Sequence, residues 1–172
     1  VPVTGSYDVV VCGGGPAGWI AAVAAARSGA KTALIEQFGF VGGMATAGLV
    51  LPISVFTYNG KLVCGGIPWE FVQRMEALRG AQVEKPLGNV AHDPEIYKLV
   101  AQRMLLEAGV ELHLHCTITG CLHRQGHLSH VIFDTRQGPQ AFEARYVIDA
   151  TGDGAVCALT DVPMQTPEMA LQ

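Results

Sequence analysis

The sequence has no cluster of basic residues, no CxxC pair and no unbroken long apolar run, and each lack removes a class of function. Its 11 Lys and Arg are scattered among 15 Asp and Glu, for a net charge of −4, so it builds no electrostatic footprint for DNA or RNA and no nucleic-acid partner is expected. Charged residues make up only 15% of the chain against 49% apolar ones, which is the balance of a packed domain and not of a disordered tail. The uncharged stretch 9–26 comes near the length of about 18 residues at which a membrane span is suspected. Gly13, Gly14, Gly15 and Pro16 interrupt it, and Asp8 stands where a signal peptide needs a basic flank, so neither a span nor a leader is expected. Cys12, Cys64, Cys116, Cys121 and Cys157 are an odd and dispersed set, which argues against a disulfide framework and for a reducing cytoplasm. Histidine is missing before His92, and the later five fall between His113 and His130 without zinc-motif spacing to any cysteine or carboxylate. No metal site is expected from them. They read as solvent-facing residues of short strands, with His113 and His115 on one strand face, and His92 reads as a loop residue ahead of a helix, with an acid or base near the ligand site as the alternative.

What is present has the order of an α/β domain. Residues 7–12 are a nearly continuous β-branched run ending at glycines, as in a strand buried on both faces of a parallel sheet. Residues 16–28 are alanine-rich with a proline in the first turn and Gly29 at the end, which predicts a helix. A second buried strand over 31–36 completes a βαβ unit. The glycine-rich stretch 38–66 is too long for an ordinary connection and reads as a functional loop. Helices are predicted over 68–78 and, after the N-cap signal Asp93-Pro94, over 95–108. Residues 112–116 alternate as a strand does. Gln125-Gly126 and Gln137-Gly138 then separate the short strands of a small β-meander, and an apolar strand over 146–150 returns to the parallel sheet. At 172 residues the expectation is one domain, 1–172, of Rossmann type.

Gly13-Gly14-Gly15-Pro16-Ala17-Gly18 satisfies G-x-G-x-x-G between the predicted strand and helix. Gly13 permits the tight turn, Gly15 lets a pyrophosphate reach the backbone, and Gly18 lets the helix pack on the strand. The helix that starts at Pro16 and Ala17 offers the unpaired N–H groups of its first turn to the anion. Glu36 ends the next strand, where a carboxylate accepts hydrogen bonds from an adenosine ribose and repels a 2′-phosphate. This fingerprint alone does not separate FAD from NAD.

Further stretches do. Gly13 to Ala22, Ile35-Glu36-Gln37-Phe38 and Gly42-Gly43-Met44-Ala45-Thr46-Ala47-Gly48 together resemble the amino-terminal half of FAD-dependent oxidoreductases of the glutathione-reductase-like superfamily. So do Gly65-Gly66-Ile67-Pro68-Trp69-Glu70, Asp93-Pro94-Glu95 and Val147-Ile148-Asp149-Ala150-Thr151-Gly152-Asp153-Gly154. The resemblance implies that Gly42 and Gly43 approach the FAD pyrophosphate, with Met44, Ala45 and Thr46 beside the ring and Gln37 next to the ribose carboxylate. It also implies that Ile118 presents its backbone to the adenine and that Ala150, Thr151 and Gly152 pack beneath the cofactor.

The departures from that superfamily also carry meaning. Its disulfide reductases have a redox cysteine pair just after the glycine pair, where this chain has Met44 and Thr46. Relatives that attach flavin covalently do so through a histidine near this loop, and none is here, so noncovalent FAD is expected. The sequence names no catalytic acid or base. Trp69 and Phe56 read as core packing, Cys12 as a buried core thiol and Cys64 as inert. Relatives also continue into a substrate domain and a last FAD-contacting segment. The expectation is therefore the FAD-binding portion of an oxidoreductase acting on a small organic molecule, completed by a further segment or a second polypeptide. A non-catalytic FAD-holding subunit and an NAD-dependent dehydrogenase are the alternatives.

Overall fold

The computed structural model describes residues 1–84, 88–160 and 162–164; residues 165–172, the end of the expected domain, lie outside the described residues. The chain opens with β1 (Val3–Cys12), α1 (Pro16–Arg27) and β2 (Thr32–Ile35). A single 3-10 turn (Gly43–Ala45) follows, then β3 (Pro52–Ile53), β4 (Thr57–Tyr58) and β5 (Lys61–Leu62). Next come α2 (Ile67–Ala77), β6 (Ala81–Val83), β7 (Val90–His92) and α3 (Pro94–Glu107). The rest is β8 (Glu111–His113), β9 (Thr117–Arg124), β10 (His127–Thr135), β11 (Gly138–Asp149) and α4 (Ala155–Ala158).

The main sheet has six strands in the order β8-β2-β1-β11-β10-β9. The first four are parallel, and β10 and β9 continue antiparallel as a meander. Alternation along β1 and β2 assigns the two faces. Val9, Val11 and Leu34 join α1, α2 and α3 in one core, while Val10, Cys12, Ala33 and Ile35 join the meander residues Val131, Phe133 and Phe142 in the other. The ends of β1 and β2 thus lie in a middle layer covered on both sides, which explains why residues 9–12 and 33–35 are continuously apolar.

Three strands end at one level. Cys12 is the register partner of both Ile35 and Asp149, so the glycine turn after β1, Glu36 after β2 and Ala150 after β11 all emerge at the same edge. In open α/β sheets this carboxyl edge is where ligands bind.

Aromatic side chains lock the three helices to one another. Trp19 of α1 is fully buried, lies 4.7 Å from the Phe71 ring of α2 and donates its indole N–H to the Tyr97 hydroxyl of α3 at 3.0 Å. Burial pushes the Tyr97 phenol up to about 12, against the lowering effect of that donor. Trp19→Phe keeps most of the packing and strands the buried hydroxyl, so a loss of about 1–2 kcal/mol is expected in urea denaturation. Asp93 caps α3 through Glu95 N–H at 2.7 Å and Ile96 N–H at 3.1 Å. Asp93→Ala should cost about 1 kcal/mol in the same assay.

Several expectations need correction. The strand expected over 146–150 is the end of the much longer β11, whose residues 138–143 pair with β10 and whose residues 141–149 pair with β1. Polar residues such as Glu143 and Arg145 concealed that continuity, because they lie where β11 is exposed. The strand expected over 112–116 stops at His113, and the chain then turns through His115 with φ 56°. His113 and His115 therefore share no strand face. His113 belongs to the parallel sheet, half-buried with its ring 4.8 Å from Phe142 and Nε2 3.0 Å from Glu111. The loop 38–66 is not featureless, since it holds the 3-10 turn and three short strands. The Gln125-Gly126 turn is as expected, with φ of 52° and 77°, the left-handed pair of a two-residue hairpin.

Candidate active site

Gly13 leaves β1 at φ +96°, a backbone state that costs little only for glycine. A side chain there would also strike the Ala150 carbonyl. Gly18, one turn into α1, faces the Gly13 carbonyl so closely that a methyl group would occupy the same space, and it lies against Ala150 as well. The middle glycine is different. A Cβ on Gly15 would meet nothing nearer than the Ala150 oxygen at 4.0 Å, so its open side faces outward. Gly15 is also the N-cap of α1, whose start has no side-chain cap and no acidic residue in the first turn. Helix-start donors not served by the chain's own side chains, reached over an exposed Pro16 and Ala17, fit an anion such as a pyrophosphate.

Glu36 is 5% exposed. Its Oε2 accepts the Gly14 N–H at 2.6 Å and its Oε1 accepts the Phe38 N–H at 2.8 Å. The carboxylate thus fixes the glycine turn to the end of β2. Each oxygen retains a second acceptor site for a ribose hydroxyl. Gln37 beside it is exposed.

The second glycine pair closes the cradle. The Gly42 N–H donates to the Gly14 carbonyl at 2.8 Å, and a Cβ on Gly43 would lie 2.9 Å from the Gly15 Cα. The two glycine turns therefore meet backbone to backbone. Gly42 has φ +120° and rests against Thr46 and Tyr97, while the Thr46 hydroxyl donates to the Val41 carbonyl at 3.1 Å. Ala45 and Thr46 are buried beneath the turn, and Met44 is 63% exposed on its outer side.

The third wall follows β11. The Ala150 N–H donates to the Cys12 carbonyl at 2.8 Å. Asp149 then organises the turn: Oδ1 accepts the Thr151 N–H at 3.1 Å and its hydroxyl at 2.7 Å, and Oδ2 accepts the Cys157 N–H at 2.9 Å. The Thr151 hydroxyl in turn accepts the Ala155 N–H at 2.8 Å, and Gly152 is exposed at the rim. Burial alone would raise the Asp149 carboxyl, but the donors from Cys157 and Thr151 outweigh it and hold the group below the usual aspartate range. A depressed native pKa stabilises above the unfolded value and is lost as pH falls through the folded one. Wild type should therefore lose stability below about pH 4, and Asp149→Asn should start less stable at pH 7 and show a shallower acid slope in urea titrations.

The expected site residues Gly13, Gly15, Gly18, Glu36, Gly42, Gly43, Ala150 and Thr151 converge at this edge. Ile118 does not show a comparable position: it lies on β9 opposite Phe133 and packs into the meander core. Its strand nevertheless starts beside the site, because the Cys116 N–H donates to the Glu36 carbonyl at 3.0 Å. Besides Asp149, two contributors were missed in the sequence. Gly14 cannot carry a side chain, since a Cβ would lie 2.9 Å from both Glu36 Oε2 and Val41. His92 is the other; it ends β7 instead of standing in a loop, and is buried at 7% exposure. Its signal was its place next to the Asp93 cap, which says nothing about a partner 47 residues away.

All five cysteines are free. Burial pushes the Cys12 thiol well above its ordinary range and the Asp149 charge adds to it, as suits a core residue. Cys64 packs against the helical core, and Phe56 and Trp69 pack on each other at 5.6 Å. Among the described residues, no three His, Cys, Asp or Glu side chains gather as a metal site, and no helix is long and apolar enough to cross a membrane.

Comparisons with known proteins agree with this geometry. A dihydrolipoyl dehydrogenase of Trypanosoma brucei brucei is 55% identical over 42 residues, 24% of this chain and 9% of that protein. A thiamine thiazole synthase of Pyrococcus abyssi is 28% identical over 159 residues, 88% of this chain and 59% of that protein. Among solved structures, Thermovibrio ammonificans THI4 superposes with a TM-score of 0.65 at 20% identity, covering 90% of this chain and 61% of its own. L-proline dehydrogenase from P. horikoshii gives 0.66 at 14% identity, covering 97% and 58%. These structural likenesses show the fold, and the chain spans less than two thirds of each of these proteins. The FAD dependent oxidoreductase family matches residues 8–171, nearly the whole chain and every wall of the glycine cradle, so this protein belongs to that family and its cofactor is FAD.

Proposed function

We propose that the chain is the FAD-binding portion, residues 1–172, of an oxidoreductase that holds FAD noncovalently and passes a hydride between it and a small organic substrate. The observation that carries this reading is the contact of the two glycine turns, Gly42-Gly43 on Gly14-Gly15, over an uncapped helix start. A nicotinamide dinucleotide needs only the first of those turns. When bound, the flavin supplies the hydride-accepting N5, and the protein supplies position and electrostatics. The α1 N-terminus receives the pyrophosphate, Glu36 holds the adenosine ribose, and Gly43 to Thr46 form the surface along which the ring is oriented. Asp149 keeps the Ala150 to Gly152 turn in place as the opposite wall. The unpaired cysteines support a reducing compartment such as the cytoplasm.

An absorbance spectrum of the purified chain, followed by FAD titration of protein stripped of cofactor, tests the reading. Flavin bands that leave the polypeptide on denaturation, with micromolar or tighter uptake of FAD and none of NAD, are expected. A colourless protein that takes up no FAD, or one that prefers NAD, would overturn it. Flavin reduction by candidate small-molecule donors, followed in the same cuvette, tests the hydride step.

A further inference from the structure

The ring of His92 stands between β7 and the 3-10 turn of the second glycine pair. Its Nε2 lies 2.9 Å from the Ala45 carbonyl oxygen. A carbonyl only accepts, so Nε2 carries the hydrogen of that bond. Nδ1 is buried and, among the described residues, has no hydrogen-bond partner. The ring lies 5.1 Å from that of Tyr97, which supports Gly42 from below and accepts the Trp19 N–H. Trp19, Tyr97, His92 and the Ala45 carbonyl thus form a buried line from α1, whose start would take the pyrophosphate, to the turn that would carry the flavin. A core position would hold Leu or Phe at lower cost, because a buried ring nitrogen without a partner is penalised. Its retention here is explained by the one bond it makes.

We propose that His92 is a positioning residue for the flavin: its Nε2–H holds the Ala45 carbonyl so that Gly43 stays against Gly15, and it acts through that turn without touching substrate. The inference rests on the reading of this edge as the FAD site.

The test uses the whole chain as wild type, His92→Leu and His92→Gln. Gln can place an amide N–H near the imidazole Nε2 position, whereas Leu fills space without donating. Amide hydrogen exchange of residues 42–46 in cofactor-free protein is measured first. His92→Leu should exchange there at least about tenfold faster with α1 and β2 unchanged, and His92→Gln should restore protection. FAD titration should then show a Kd raised about tenfold or more in His92→Leu, with a displaced visible flavin spectrum, and brought back to within about threefold in His92→Gln. A purely structural histidine would lower thermal stability in both variants without this split. Unchanged exchange in His92→Leu, or a His92→Gln protein as defective as His92→Leu, would overturn the proposal. Wild type that takes up no FAD would instead sink the cofactor reading, while the exchange data still decide whether His92 holds the turn.

Discussion

Gly18→Ala is expected to lose about 3 kcal/mol or more of folding stability, whereas Gly15→Ala should fold nearly as the wild type does and fail to hold FAD. The contrast follows from what surrounds each glycine. The Gly18 methyl would have to displace the Gly13 carbonyl and press on the Ala150 methyl, which directly follow the paired strand ends Cys12 and Asp149. A rigid neighbour cannot yield as a flexible side-chain end would, so the cost exceeds ordinary overpacking. Gly15 has φ −62° and ψ 179°, which alanine adopts freely, and its outer side is open. As an N-cap, alanine costs at most about 1 kcal/mol relative to glycine. The same methyl stands where the pyrophosphate must approach the helix start, and a loss of about 100-fold in FAD affinity, near 2.7 kcal/mol, is expected. Urea denaturation and flavin fluorescence titration separate the two effects. Gly15→Ala protein that keeps wild-type affinity would show that the anion does not lie on this turn.

The βαβ unit was legible because its signals are local. A β-branched run, glycines and an alanine-rich helix succeed one another within 36 residues, and each agrees with the next. Helices α2 and α3 were legible for the same reason, from Pro68 and from Asp93-Pro94. What the sequence concealed is pairing across distance. Nothing near Gly138 shows that β11 continues unbroken to Asp149, because its partners β10 and β1 each cover only part of its length. His92 and Asp149 likewise act through partners supplied by the fold: Ala45 lies 47 residues from His92, and the donors to Asp149 come from a turn that only the fold closes. The glycines could be read from motif spacing, but their division of labour could not. Of the four motif glycines, Gly13, Gly14 and Gly18 face the protein's own packing, and Gly15 is left open to a ligand.

Glu36→Gln should lower stability and FAD affinity together, the opposite of the separation expected at Gly15. The carboxylate is buried and receives one backbone N–H on each oxygen, from Gly14 and Phe38. Gln matches the shape but offers one acceptor and one donor, so its NH2 group must face an N–H. Leaving one of these buried donors unpaired costs about 1–3 kcal/mol, and a loss of about 2 kcal/mol in urea denaturation is expected. The turn then loosens at Gly14, the residue whose carbonyl receives the Gly42 N–H, so the second glycine pair loses its anchor as the first one shifts. The ribose also loses an anionic acceptor, and hydrogen bonds to charged groups are the stronger kind. Together these effects should raise the Kd for FAD about 100-fold, measured at a urea-free temperature where both proteins are folded. If affinity falls without any change in stability, Glu36 serves the ribose alone and its bonds to Gly14 and Phe38 are dispensable. If stability falls and affinity does not, the carboxylate is a strap of the fold and the ribose lies elsewhere.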